Sequence, residues 1–151
     1  MGAQRAGEVQ KHMERVGSAE GITFNFRGRT ANSRLSHVLM HAAGLKSSEV
    51  QCNVAEQLFR AYFEESRNIA DIEVLRDVAD TAGLQRKELE QYFEAAKEEA
   101  SEVDDEAQAV RDSGIKGVPH IVFEGGPHFD GATDVQDIFE ALINLKSQPQ
   151  A

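Results

Sequence analysis

The chain has 151 residues, 40% of them hydrophobic and 28% charged, with 16 Lys and Arg against 26 Asp and Glu and a formal charge of −10. This is the size and composition of one folded globular domain, and the acidic balance disfavours nucleic acid and anionic membrane surfaces, which are bound through Lys and Arg. No apolar run approaches the ~20 residues needed to span a bilayer, the start has no apolar signal core, and Gly2 lacks the Ser or Thr four residues on that myristoylation wants, since position 6 is Ala6.

The first run, about residues 3–16, puts Ala6, Val9, Met13 and Val16 on one helical face. Gly21 then opens an alternating segment in which Ile22, Phe24 and Phe26 share a side, which predicts a strand. Arg27-Gly28-Arg29 reads as a turn. Asn32 or Ser33 can cap the next helix, which carries Leu35, Val38, Leu39 and Ala42 and is expected to end before Gly44. Ser47 or Ser48 starts a longer helix with Val50, Val54, Leu58, Ala61 and Tyr62, and Cys52 is expected to be buried in it. Asp71 begins another, with Val74, Leu75 and Val78 inward and Gly83 closing it. Two more centre on Leu89, Tyr92 and Phe93, and on Val103, Ala107 and Val110 before Gly114. The texture then turns β-branched and aromatic in Val118-Pro119-His120-Ile121-Val122-Phe123, with Gly125-Gly126-Pro127 as a turn and His128 to Gly131 as a returning strand. A last helix over about 134–146 presents Val135, Ile138, Phe139, Leu142 and Ile143 at spacings of three and four.

Gly117-Val118-Pro119, followed by this hairpin and helix, resembles the end of a thioredoxin fold. Leu58-Phe59-Arg60-Ala61-Tyr62-Phe63, then Ile69-Ala70-Asp71 and Val74-Leu75, is similar to the helical insertion of DsbA-like proteins. Asn32-Ser33-Arg34-Leu35-Ser36-His37 resembles the Asn-Thr-x-x-Ala-His segment of the FrnE-like oxidoreductases, relatives of the 2-hydroxychromene-2-carboxylate isomerases and kappa-class glutathione transferases. Phe129-Asp130-Gly131-Ala132 resembles their Ser-Gly-Ala segment. The resemblance covers about residues 20–145 and implies a helix-rich α/β fold of the thioredoxin-like DsbA type. It implies one domain over 1–151, with a helical insertion at about 33–113 and a cis-Pro hairpin plus C-terminal helix at 115–146. A complete member begins with a strand and a Cys-x-x-Cys helix. This chain is expected to start after both, leaving a reduced sheet.

Cys52 is the single cysteine. It matches no catalytic position of the family, no internal disulfide can form, and a reducing, cytoplasmic setting is expected. Thiol–disulfide exchange requires a low-pKa thiolate and a resolving partner, so none is expected from this chain. The resemblance implies either a redox-inactive isomerase-, transferase- or small-molecule-binding protein, or a non-catalytic dimeric binding or assembly module, or a fragment of a complete thiol–disulfide oxidoreductase. Its ligand-binding candidates are Val118, Pro119, His37, Asn32 and Arg29, His37 because its family counterpart faces the active-site cleft. Arg27 and Arg29 form the only compact basic spot, suited to the carboxylate of glutathione or of an acidic metabolite.

Other patterns favour structural readings. His37 and His41 lie one turn apart and can reach one metal, yet no third ligand follows at a telling spacing, so no metal is expected. His120 and His128 flank the hairpin, first as a strand-end pair and second as a pH-sensitive or ligand-binding pair. Glu98 to Glu106 reads as a solvated acidic face. No Ser-His-Asp order, phosphate loop or nucleotide fingerprint is present. An unpaired edge at Ile121–Phe123 is expected either to be covered by the 22–26 segment folding back or, the favoured remedy, to pair with a second copy as a homodimer.

Overall fold

The computed structural model describes residues 3–98 and 102–146. The helices are α1 (Ala3–Ala19), α2 (Arg34–Lys46), α3 (Ser48–Phe59), α4 (Ile72–Thr81), α5 (Arg86–Glu98), α6 (Glu102–Asp112) and α7 (Val135–Lys146). Helix α3 runs on into a π-helical turn, Arg60–Glu64, and the strands are β1 (His120–Val122) and β2 (His128–Asp130). The contacts divide the chain into two compact units, up to Asp104 and from Asp105, so the division falls inside α6.

Local chemistry sets the helix ends of the first unit. Ser47 is extended, and its hydroxyl accepts the Val50 N–H at 3.2 Å, so it closes α2 and caps α3 at once. Asp71 accepts the Glu73 N–H at 2.9 Å to open α4. Gly83, at φ +87°, supplies the left-handed residue after it. Gly44 does not stop α2, which continues to Lys46. The Gln51 amide lies over Gly44, 2.6 Å from where a Cβ would stand, so this glycine serves close approach of α3 rather than termination.

The core of this unit is built around α2. Leu39, Val54, Leu75, Leu89 and Phe93 from α2, α3, α4 and α5 are fully buried, joined by Val38, Ala43, Val78 and Ala79. Each Leu or Phe buried in this way stabilises the fold by about 1.5–3 kcal/mol. The predicted strand at 22–26 is absent. The segment has no regular secondary structure and enters a turn at Phe26; Asn25 N–H donates to the Phe63 carbonyl at 2.7 Å, and no strand lies beside it. Its alternation survives in the side chains: Phe24 stacks on Phe26 at 5.5 Å and meets Phe63 edge-on at 5.9 Å. Cys52 is exposed, not buried. It lies about 200° around the helix from Val54, two residues on, and Val54 takes the core side.

In the second unit, β1 and β2 pair antiparallel with His120 opposite Asp130, Ile121 opposite Phe129 and Val122 opposite His128. Gly125 turns the hairpin at φ +71°, and Phe123 and Phe129 meet edge-to-face at 6.1 Å. The Val118–Pro119 peptide bond is cis. Helix α7 buries Ala141 and half-buries Ile138 and Leu145, and Leu145 lies against Gly126. The wider apolar stripe expected to face inward is largely open: Val135 is 81% and Phe139 55% exposed. Two three-residue strands cover only a narrow strip of a helix. No helix of the described residues is long and apolar enough to cross a membrane.

These burials order the outcome of truncation. Phe93→Ala is expected to destabilise the chain by about 3–5 kcal/mol, while Val135→Ala changes stability by less than about 0.5 kcal/mol. Urea denaturation followed by circular dichroism measures both.

Candidate functional site

A pocket of about 480 Å³ opens in the first unit between α2, α3 and the π-helical turn. Met40, Leu58, Phe59, Phe63 and Ile69 make its apolar wall, and His37 and Tyr62 also line it. The chain builds it from two local features. The π-helical turn adds a residue to the helical turn and so re-aims Tyr62 and Phe63, whose rings meet edge-on at 4.9 Å. Ala31 and Ala55 leave space where longer side chains would fill it. The buried Ser36 hydroxyl donates to the Ile69 carbonyl at 2.8 Å, which ties the 69–71 loop to α2. Among the described residues, no buried side-chain polar atom lacks a partner.

Phe59 and Phe63 also line a second, open pocket of about 550 Å³, with Phe24, Phe26, Ile22 and Met13 on its apolar side and Glu56, Arg60 and Glu64 among its charged lining. A single aromatic wall therefore separates two hollows. Beside the first, Arg34 grips Asp104 through a two-pronged guanidinium–carboxylate pair, Nε–H donating to Oδ1 at 2.7 Å. That hydrogen bond, against the opposing effect of burial and with the help of the carboxylate's charge, holds Arg34 above the ordinary arginine range. His41 meets Glu102 at 3.1 Å, so His41 points to α6 and not to the pocket.

The sequence candidates separate. His37 lines the pocket. Asn32 instead forms an Asx turn ahead of α2, its side-chain carbonyl accepting the Arg34 N–H at 2.9 Å, while Ser33 holds the N-cap position without a side-chain capping bond. Arg29 is exposed, and its guanidinium makes no hydrogen bond or ion pair to any described residue. Val118 and Pro119 belong to the second unit, where Val118 is 86% exposed and the Pro119 carbonyl accepts the Gly131 N–H at 2.8 Å. Phe59 and Tyr62 are site residues that helical periodicity assigned to no site. Their signal was an aromatic run, Phe59, Tyr62 and Phe63, too dense for one buried face. Among the described residues, no group of three or more His, Cys, Asp or Glu side chains is arranged to hold a metal ion.

A helical unit followed by a short hairpin and one further helix is the element order of the helix-rich thioredoxin-like class. The family model described as DSBA-like thioredoxin domain matches residues 2–143, and the chain belongs to that family. Among solved structures it is similar to a probable DsbA oxidoreductase from Streptomyces coelicolor, with a TM-score of 0.80 at 22% identity. The match covers 100% of this chain and 64% of that one, so the chain spans less than two thirds of that protein. No curated protein matches the chain.

A single exposed thiol has no resolving partner within these 151 residues. Insulin reduction with dithiothreitol is expected to proceed at the uncatalysed rate with the purified chain and with Cys52→Ser alike. Turnover lost in Cys52→Ser would overturn this. Asn32→Ala is expected to lower stability by about 0.5–1.5 kcal/mol through the lost hydrogen bond to the Arg34 N–H, read by thermal unfolding.

Proposed function

We propose that the chain is a redox-inert DsbA-family protein that binds a small, flat apolar molecule carrying a carboxylate in the pocket beside His37. The observation that carries this reading is the pocket itself. Its volume of about 480 Å³ falls in the usual small-molecule range of about 300–1,000 Å³, and apolar walls with a few polar tips are the usual chemistry of such sites. Ring faces of Phe59 and Phe63 offer stacking area, while His37 and the Tyr62 hydroxyl offer donors to an acidic group. Exposed Arg29 adds a cation on the same unit. Glutathione is a second ligand of the right charge. An isomerase- or transferase-like reaction on such a ligand is the extension of this reading.

A second reading follows from the similarity to a DsbA oxidoreductase of which this chain spans 64%. In it the chain supplies the helical and hairpin parts of a thiol–disulfide oxidoreductase whose dithiol lies elsewhere. Association into a homodimer belongs to either reading. The two-stranded sheet has open outer edges, and an open edge recruits another strand.

Calorimetric titration with 2-naphthoate tests the first reading. The wild-type chain is expected to bind it saturably, His37→Ala to bind it about tenfold more weakly, and Ala55→Phe, which fills the pocket, not to bind. Equal binding by Ala55→Phe, or no saturation at millimolar ligand, would overturn the proposal.

A further inference from the structure

The hairpin carries chemistry that the helical pocket does not use. In its antiparallel register His120 stands opposite Asp130 and Val122 opposite His128. Because side chains alternate across a strand, residues 120, 122, 128 and 130 share one face. On that face the His120 Nδ1–H donates to Asp130 Oδ1 at 2.6 Å. The His120 and His128 rings lie 5.7 Å apart between centroids, tilted by 47°. His120 and Asp130 keep 23% and 31% of their side-chain surface open to solvent, so the face is reachable.

We propose that this face is a site for a divalent transition-metal ion, zinc in the first place, held by the imidazoles of His120 and His128 with Asp130 orienting His120. Three observations converge. Two imidazoles bound to one tetrahedral ion through metal–nitrogen bonds of about 2.0–2.1 Å place their centroids roughly 5–6 Å apart, and the observed separation lies in that interval. A carboxylate has no proton to give, so Nδ1 of His120 carries the hydrogen and leaves the Nε2 lone pair outward. A ligating histidine whose other nitrogen donates to a carboxylate is the usual arrangement at metal centres, where it sets tautomer and ring direction. The hollow over this face measures about 290 Å³, with Ser113 and Ile115 at its rim. That volume is just below the range of organic-ligand pockets and ample for an ion with its waters.

Donor chemistry selects the ion. Nitrogen ligands favour zinc, copper and nickel, whereas calcium and magnesium take oxygen. With two protein ligands, two of the four tetrahedral positions stay open to water or an exogenous ligand. The bare structural alternative is that the His120–Asp130 bond only fastens the two strands together. The two readings differ in what a metal does to His128, which that bond does not involve.

The test is calorimetry of the full chain with zinc chloride, together with the ring signals of all five histidines in nitrogen-detected magnetic resonance. One zinc per chain is expected, shifting the rings of His120 and His128 alone. His120→Gln and His128→Gln are each expected to weaken binding about tenfold or more, and Asp130→Asn by about 10–100-fold through the lost orientation. The double variant His37→Ala/His41→Ala is expected to bind as the wild type does. Zinc that shifts His37 and His41 instead, or no shift of His120 and His128 at stoichiometric zinc, would overturn the site. Undiminished binding by Asp130→Asn would overturn the orienting role. The ring shifts are read on the unmodified chain, so the outcome stands even if a variant fails to fold.

Discussion

Everything in the first unit hangs on the burial of one stripe of α2. Val38, Leu39, Ala42 and Ala43 are each at most 4% exposed, and α3, α4 and α5 supply the Val54, Leu75, Leu89 and Phe93 that enclose Leu39. Small residues at 42 and 43 let neighbouring helices approach closely, and Gly44 extends that approach to the Gln51 amide. Interiors pack at crystal-like density, so this one helix sets the positions of its three partners. The polar half of α2 is placed by the same constraint. Ser36 is driven inward and finds the Ile69 carbonyl, while His37, one residue on, is left at the mouth of the pocket.

The pocket is a consequence of a departure from regular helix. An α-helix continued from α3 would keep Tyr62 in step with Leu58 and Phe63 in step with Phe59, four residues back in each case. The π-helical turn breaks that step, and the Asn25–Phe63 backbone bond with the Phe24–Phe63 contact holds the displaced rings. A hydrogen-bond ladder shifted by one residue is sustained only where packing supports it. Here the support is the stacked pair Phe24 and Phe26. Phe59, Tyr62 and Phe63 thus become walls of the hollows on this surface.

The second unit obeys a different constraint. Two strands of three residues bury little, so their order depends on the turn at Gly125, on Phe123 against Phe129, and on Leu145 of α7 seated on Gly126. A lone two-stranded hairpin is marginal in water without such packing. Its other face then remains free for polar side chains, which is why two histidines and an aspartate can gather there without entering a core.

The sequence by itself determined the elements whose cause is local. Caps at Ser47 and Asp71, the stop at Gly83, the stripes of α2 to α5 and the hairpin with its glycine turn are all written in spacings of a few residues, and the thioredoxin-like class came from the resemblance of its motifs to that family. Tertiary structure alone decided the rest. Ile22, Phe24 and Phe26 alternate like a strand, but a strand requires a neighbour, and the neighbour here is an aromatic helix surface. Gly44 looks like a stop until Gln51 is seen lying over it. Asn32 and His37 were both candidates from one motif; the Asx-turn bond to Arg34 claimed the first, and the space left by Ala55 opened a pocket to the second. Local periodicity reports which face of an element is apolar. What lies opposite that face is set by residues far away in the chain, and it is there that pockets, pairings and ligand sites are made.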